Sequence, residues 1–296
     1  MNNKPLIVGL ILSAVLFFIM FAGPYLPFVD TELEAKRLYY PEKGKIETAP
    51  FSPSERYILG SDRDGRDLFS MLILGAKNTI VFIIGIALLR YAIAVPLGMF
   101  GYKKKGIVSW IIQGWDKVFS SLPSNLLIII ILNLPFLLYS KDRLIWAFLI
   151  IALFDVGRVS QIVQQQSNQL SKKAFIETAK TIGVKPFSML KNHYLPNLAP
   201  EIITNFCIDV GRVTLLIGQL AILNIFLKQE LIQVNYGYSE IVNSSLDWPS
   251  IMTDTRKDIR SAFWIPFFPA LALTYMILTF NMLGEGLRIY FNRHLT

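Results

Sequence analysis

The sequence predicts an all-α membrane protein with about six transmembrane helices, and three observations predict it. Of 296 residues, 53% are hydrophobic and the mean hydropathy is +0.46. Only 17% are charged, against roughly 25% in a soluble chain. Several apolar runs reach the ~20 residues that a helix needs to cross the hydrocarbon core, where backbone polar groups must be satisfied within the protein.

The first run, Pro5 to Phe28, follows Lys4. It is longer than the roughly 7–15 apolar residues of a secretory leader and reads as an uncleaved span covering 1–28. Residues 29–70 form an outer loop rich in acids, Pro and Gly. Its end reads as a polar turn opening an interfacial helix. Ser61 or Asp62 is the cap, and Leu68, Phe69, Met71 and Leu72 lie on apolar surface. Further spans run from about Met71 to Phe100, Ile107 to Tyr139, Leu144 to Val163, Leu198 to Leu227 and Phe263 to Leu283. The membrane core is thus 71–283, with an outer loop at about 228–262 and a tail at 284–296. The second and third spans can contain shorter pieces with interfacial ends. Pro96, Pro123, Pro135 and Pro200 sit near helix ends or inside spans, where neighbouring groups satisfy the carbonyls they free. Six spans place both termini on one side of the bilayer.

The net charge of +8 has a membrane explanation, because short cytoplasmic loops collect Lys and Arg. The turn "GYKKKG" carries Lys103, Lys104 and Lys105, and the polar segment before the fifth span carries Lys172, Lys173, Lys180, Lys185 and Lys191 against Glu177. Both are expected in the cytoplasm, with the two termini. Because basic and aromatic residues do not interleave in a stripe, nucleic-acid binding is excluded. With one cysteine, Cys207, and two histidines, His193 and His294, the chain has neither a disulfide framework nor the soft ligands of a built-in metal site.

The polar segment at about 168–196 interrupts the apolar runs. From Asn168 to Ile182 it favours a helix with Leu170, Ala174, Phe175, Ala179 and Ile182 on an apolar side. Lys180 suits the negative end of that helix, and Gly183 supplies the left-handed residue that closes it. Pro186 begins a second short helix, since its missing N–H costs nothing there, and Leu195-Pro196 ends it. A solvated linker needs no such turn between two amphipathic helices, so a docking element is expected.

Charges inside spans are expensive, about 2.5–3.5 kcal/mol at the centre on insertion scales, so they must pair or line a watery path. They are Arg90, Asp155, Arg158, Asp209 and Arg212. The tetrapeptide "DVGR" at 155–158 and 209–212 offers two pairs one helical turn apart, Asp155 with Arg158 and Asp209 with Arg212. Pairing and pathway lining both remain open. "GSDRDGRD" at 60–67 resembles a cation loop only superficially: its Gly comes too early for an EF-hand, and Arg63 and Arg66 repel a cation. G-x4-G-K-[ST], H-E-x-x-H and G-x-S-x-G are absent from the sequence, so no catalytic residue is assigned and no nucleotide is expected on this chain.

Glu177, Ala179, Gly183, Leu195 and Pro196 fall on the spacing E-A-A-x3-G-x9-I-x-L-P, with Thr178 and His193 replacing the second and the Ile positions. This resembles the motif of permease subunits of binding-protein-dependent ABC importers, and "NHYLPN" is similar to the "RHILPN" variant of the dipeptide/oligopeptide/nickel class. "LGSDRDGRDLFSMLILGAKN" resembles that class's "LGTDxxGRDxxSRLxxGAR", through Gly60, Asp62, Gly65, Arg66, Asp67, Ser70, Gly75 and Ala76. "FPALALTYMILTFNMLGEGLR" is similar to the family ending. The chain departs from the pattern at "LAILNIFLKQE", which replaces a Gly-rich stretch, and in the outer loop that follows, where Trp248 and Met252 match "WGxML" imperfectly.

The resemblance implies a type I importer permease with a cytoplasmic coupling hairpin that docks on an ATPase. Its expected partners are a second, different permease, two ATP-binding subunits holding ATP and Mg, an extracytoplasmic binding protein and the bilayer of a prokaryotic cytoplasmic membrane. Cargo would be a peptide or, alternatively, nickel or another metal chelate. A membrane scaffold that recruits a partner without transport is the rival reading. Gly211 and Gly218 are expected on the face packed against the second permease.

Overall fold

The computed structural model describes residues 3–40, 46–121, 123–226, 228–235, 238–243 and 245–294. The ends of the first span and of the tail (1–2 and 295–296) and Leu227 therefore lie outside the described residues. Helix α1, Lys4–Ala22, is followed by the first long loop, with a short ribbon of β1, Leu38–Tyr39, and β2, Glu47–Thr48. The long α2, Leu68–Phe100, leads to the Lys-rich turn and α3, Ile107–Ser120. Then come α4, Ser124–Leu132, α5, Pro135–Leu138, α6, Arg143–Phe154, and α7, Val156–Leu170. The polar segment holds α8, Ala174–Thr181, and α9, Pro186–Met189, and α10, Leu195–Ile222, returns through the membrane core. The second long loop contains the antiparallel hairpin β3, Gln229–Asn235, with β4, Tyr238–Asn243, then α11, Trp248–Ile251, and α12, Thr255–Ser261. Helix α13, Trp264–His294, closes the chain.

Among the described residues, five segments are long and apolar enough to cross a membrane: Lys4–Tyr25, Leu68–Phe100, Arg143–Leu170, Pro186–Ile222 and Trp264–Asn292. A sixth exists if α3 and the part of α4 from Asn125 count together, but these are bent by 88°. The expected third span, Ile107 to Tyr139, is therefore divided into shorter pieces. Pro123 stands as the N-cap of the new segment at the bend, outside helical geometry (φ −55°, ψ 121°) and without an N–H to donate to a previous turn.

Several boundaries differ from expectation for local reasons. Among the described residues no separate interfacial helix precedes α2: Asp67, rather than Ser61 or Asp62, caps it by accepting from the Ser70 N–H at 2.8 Å, and the helix runs straight into the span. Ser61 is instead buried, its hydroxyl accepting from the Phe51 N–H at 2.8 Å. The described part of the tail 284–294 continues α13 without a break.

Two buried clusters organise the core. The larger joins α1, α2, α4, α6, α10 and α13, and the smaller joins α2 and α7 to the polar segment through residues such as Tyr91, Val159, Ile176 and Tyr194. Helix α13 packs chiefly on α10 and α1. Gly211 and Gly218 serve this packing: a Cβ at Gly211 would stand 3.0 Å from Asn281 and one at Gly218 3.3 Å from Leu273. These glycines face α13 of the same chain, which corrects the expectation that they face another subunit.

Candidate functional site

Helix α6 stops at Phe154 because Asp155 leaves helical geometry (φ −94°, ψ 7°), and α7 restarts at Val156. The break orphans carbonyls at the end of α6, the negative end of its dipole. Arg90, from the middle of α2, fills that position. Its Nη2 donates to Ile151 O at 2.8 Å and its Nε to Ala152 O at 3.2 Å. The Trp115 indole donates to Leu153 O at 3.1 Å.

The same guanidinium meets carboxylates from two other helices. Arg90 Nη1 lies 2.8 Å from Asp209 Oδ2 and 3.4 Å from Asp155 Oδ2. Arg158 Nη2 lies 2.7 Å from Asp209 Oδ1 and 3.3 Å from Asp155 Oδ2. Two cations and two anions thus form a closed, neutral set joining α2, the α6–α7 break and α10. Arg90 and Asp209 are buried, whereas the Arg158 and Asp155 side chains keep 31% and 25% of their exposure and reach open space.

The proposed Asp209–Arg212 pair is not formed, and competition explains why. Both oxygens of Asp209 are already engaged, one by Arg90 and one by Arg158. Arg212 turns outward and lines a cavity of about 720 Å³ with Asp116, Asn125, Asp155, Arg158 and Gln219. The Asp155–Arg158 pair is formed, but as two members of the set of four.

The polar segment departs from the expected two-helix form at both ends. The helix expected over 168–182 is interrupted, since α7 ends at Leu170 and α8 begins at Ala174. Gly183 has φ +80°, the left-handed geometry expected of it, and Pro186 opens α9. Leu195-Pro196 does not end the second helix: a π-helical turn at Leu190–Tyr194 carries it into α10. That wider turn accommodates the donor that Pro196 lacks.

Its apolar side is also rotated from the expected one. Ile176 and Ala179 are buried with Leu170, Met189, Leu190 and Tyr194. Ala174, Phe175 and Ile182 are exposed instead, together with Phe187. Of the motif positions, Glu177, Thr178, Gly183, Leu195 and Pro196 are exposed, His193 is half-buried and Ala179 faces the core. The segment therefore has one face fixed to the bundle and one apolar, acid-bearing face that no element among the described residues covers. Beside it, Gln164 and Asn168 of α7 donate to the carbonyls of Gly101 and Tyr102 at 2.8 Å each, fixing the Lys-rich turn.

At the opposite end, the "GSDRDGRD" loop folds around Asp62, whose Oδ1 accepts from the N–H groups of Asp64 and Arg66 at 2.9 and 2.8 Å. Gly60 and Gly65 have φ +84° and +81°, and a Cβ at Gly65 would come 2.1 Å from Lys36 O, so only glycine fits that approach. Arg66 pairs loosely with Asp64 at 3.5 Å. Arg63 reaches across to the second long loop, 2.6 Å from Asp254 and 2.7 Å from Asp258. Burial pushes the carboxyls of Asp62 and Asp258 above the usual aspartate range, opposed at Asp258 by Arg63 and at Asp62 chiefly by the Arg66 N–H.

Residues 94–296, more than half of the chain, match the family described as the inner membrane component of binding-protein-dependent transport systems. The chain belongs to that family. It is similar to the dipeptide transport system permease protein DppC of Alkalihalophilus pseudofirmus, 27% identical over 97% of this chain and 85% of the relative. It is also similar to DppC of Haemophilus influenzae, 23% identical over 97% of this chain and 90% of that protein. The glutathione transport system permease protein GsiD of Pectobacterium atrosepticum is 24% identical over 80% of this chain and 72% of the relative. The protein is accordingly a multi-pass inner membrane component of a binding-protein-dependent transport system.

Sequence reasoning found the charged residues of this permease and missed several that hold them. Trp115 carried no signal as an indole donor to a broken helix. Arg143, fully buried just before the fourth expected span, donates to Leu132 O at 2.9 Å, capping α4. Arg63 entered only as a charge that repels cations. Trp248 is buried with its indole donating to Leu72 O at 2.7 Å, so the imperfectly matched "W" anchors the second long loop on α2.

Proposed function

We propose that this chain is one of two different permease subunits of an ATP-driven importer that moves di- and oligopeptides across the cytoplasmic membrane by alternating access. The supporting observation is the family match over 94–296, because that stretch contains both the uncovered hairpin and the charged cavity. The hairpin, with Glu177, Thr178, Ala179, Gly183, His193, Leu195 and Pro196, takes the position of a coupling element docked on an ATP-binding subunit. ATP and Mg are held in two such subunits, and this chain catalyses no reaction itself. An extracytoplasmic binding protein delivers cargo to the side bearing the Arg63 junction, and both termini lie in the cytoplasm. The names of the dipeptide and glutathione permeases among the relatives support a peptide cargo. A rigid two-helix element fixed to α7 and α10 can pass a shift in the ATPase to the spans as rigid-body motion.

The test is purification of the chain from its native membrane in mild detergent, identification of the copurifying subunits, and peptide uptake by the reconstituted assembly with and without ATP. A related permease, two ATPases and ATP-dependent uptake are expected. Uptake by this chain alone, with no ATPase present, would overturn the reading.

A further inference from the structure

We infer that the cavity beside the ion cluster is a zwitterion site, in which Arg212 takes the α-carboxylate of a peptide and Asp116 its α-ammonium group. This rests on the peptide reading above and specifies how the cargo is held.

The argument starts from which charges are free. Six ionised groups border or back the cavity: Arg90, Arg158 and Arg212 against Asp116, Asp155 and Asp209. Four of them neutralise one another in the closed set. The two left over have opposite sign and stand on different walls, Asp116 on α3 and Arg212 on α10. Among the described residues neither makes a hydrogen bond or ion pair through its side chain, and the Arg212 side chain is exposed to the cavity. An unpaired charge within a membrane span is costly unless water or a ligand meets it.

The placement of both groups follows from the packing. Gly157 lets α3 press on α7, since a Cβ there would fall 2.7 Å from the Asp116 backbone nitrogen. This close approach puts Asp116 beside the α6–α7 break. On the other wall, Asp209 is saturated by Arg90 and Arg158, which releases Arg212, one helical turn later, to the cavity. A guanidinium fork matches a carboxylate in two parallel bonds. Asn125 on α4 and Gln219 on α10, hydrogen-bonded to each other, add neutral polar groups suited to an amide backbone. The volume of about 720 Å³ lies within the roughly 300–1,000 Å³ of small-molecule sites. The cavity charges sum to zero, so such a site reads both termini while tolerating side chains of either sign.

The experiment uses the whole reconstituted transporter and its binding protein, with a peptide that the binding protein holds in three forms: unmodified, C-terminally amidated and N-acetylated. Uptake ratios are compared between wild type, Arg212→Gln, Arg212→Lys and Asp116→Asn. Dividing each variant's ratio by that of wild type removes the preference of the binding protein, which is common to all. Arg212→Gln should lower the preference for the free carboxylate over the amide about tenfold, as expected for loss of a charge-assisted hydrogen bond, without changing the preference against acetylation. Asp116→Asn should do the reverse, and Arg212→Lys should retain part of the carboxylate preference. Unchanged ratios, equal loss against both modified peptides, or loss of all uptake or of the assembled complex in Arg212→Gln would each overturn the site. Failure of the wild type to take up any peptide would instead overturn the peptide reading itself.

Discussion

Removing one carboxylate from the buried ion set should cost far more than removing a matched pair. Asp209→Asn leaves Arg90, almost completely buried, with one remaining carboxylate at 3.4 Å and the carbonyls of Ile151 and Ala152. It also takes from Arg158 its closer partner. Two guanidinium groups then share Asp155, and the set carries a net charge of +1. Breaking a buried pair from one side typically costs about 3–5 kcal/mol, because an uncompensated charge stays behind. Arg90→Gln creates the opposite imbalance and also strips donors from two carbonyls at the end of α6. In the double variant, Arg158 and Asp155 remain as a neutral pair at 3.3 Å, and the main deficit is the lost carbonyl bonding, about 1–3 kcal/mol. The double variant should therefore be more stable than either single variant, with a coupling of several kcal/mol. Thermal unfolding of the detergent-solubilised complex, followed by the monodisperse fraction after heating, measures this ordering across the four proteins. Additive losses, with the double variant the least stable, would refute the pairing and with it the neutral-set argument.

Gly183→Val should lower peptide-stimulated ATP hydrolysis, because φ +80° strains a β-branched residue by about 1–3 kcal/mol. Gly183→Asn should preserve it, since no heavy atom lies within 4 Å of the added Cβ and Asn tolerates left-handed geometry. Glu177→Ala should leave expression and thermal stability unchanged, as the side chain is exposed, while uptake in vesicles falls; wild-type uptake at equal expression would sink the docking role. Asp67→Ala should cost about 1 kcal/mol through loss of the cap on α2, seen as faster hydrogen exchange at Ser70. Asp258 has a folded pKa raised above its ordinary 3.8, so its contribution to stability is complete below 3.8 and is lost as pH rises through the raised value. Hydrogen exchange over 254–261, corrected for the intrinsic rate, should therefore show protection growing as pH falls from 7 toward 4, and Asp258→Asn should flatten that trend. Protection that drops on acidification in the wild type alone would contradict the sign.

What could be read from the sequence was local. A run such as Leu68–Phe100 declares itself by composition, because lipid leaves a backbone few other options. Gly183 and Pro186 declared a turn and a helix start because their backbone preferences do not depend on distant residues. The ion set shows where that logic stops. Read locally, Asp209 has one cation within a helical turn, Arg212, yet its two oxygens are held by residues 119 and 51 positions away. The competition is three-dimensional, and the nearest charge in the chain loses it. The break at Asp155 was equally hidden, since "LFDVGR" contains no proline and its single glycine stands inside α7. The break is intelligible only with Arg90 and Trp115 in place, for without their donors the orphaned carbonyls of Ile151, Ala152 and Leu153 would favour continuing the helix. Arg90 in turn is tolerable in a membrane span because the break supplies carbonyls and Asp209 supplies charge. Each of these features is unfavourable alone and satisfied only by the others, so no window of sequence short of the whole bundle carries the signal for any one of them.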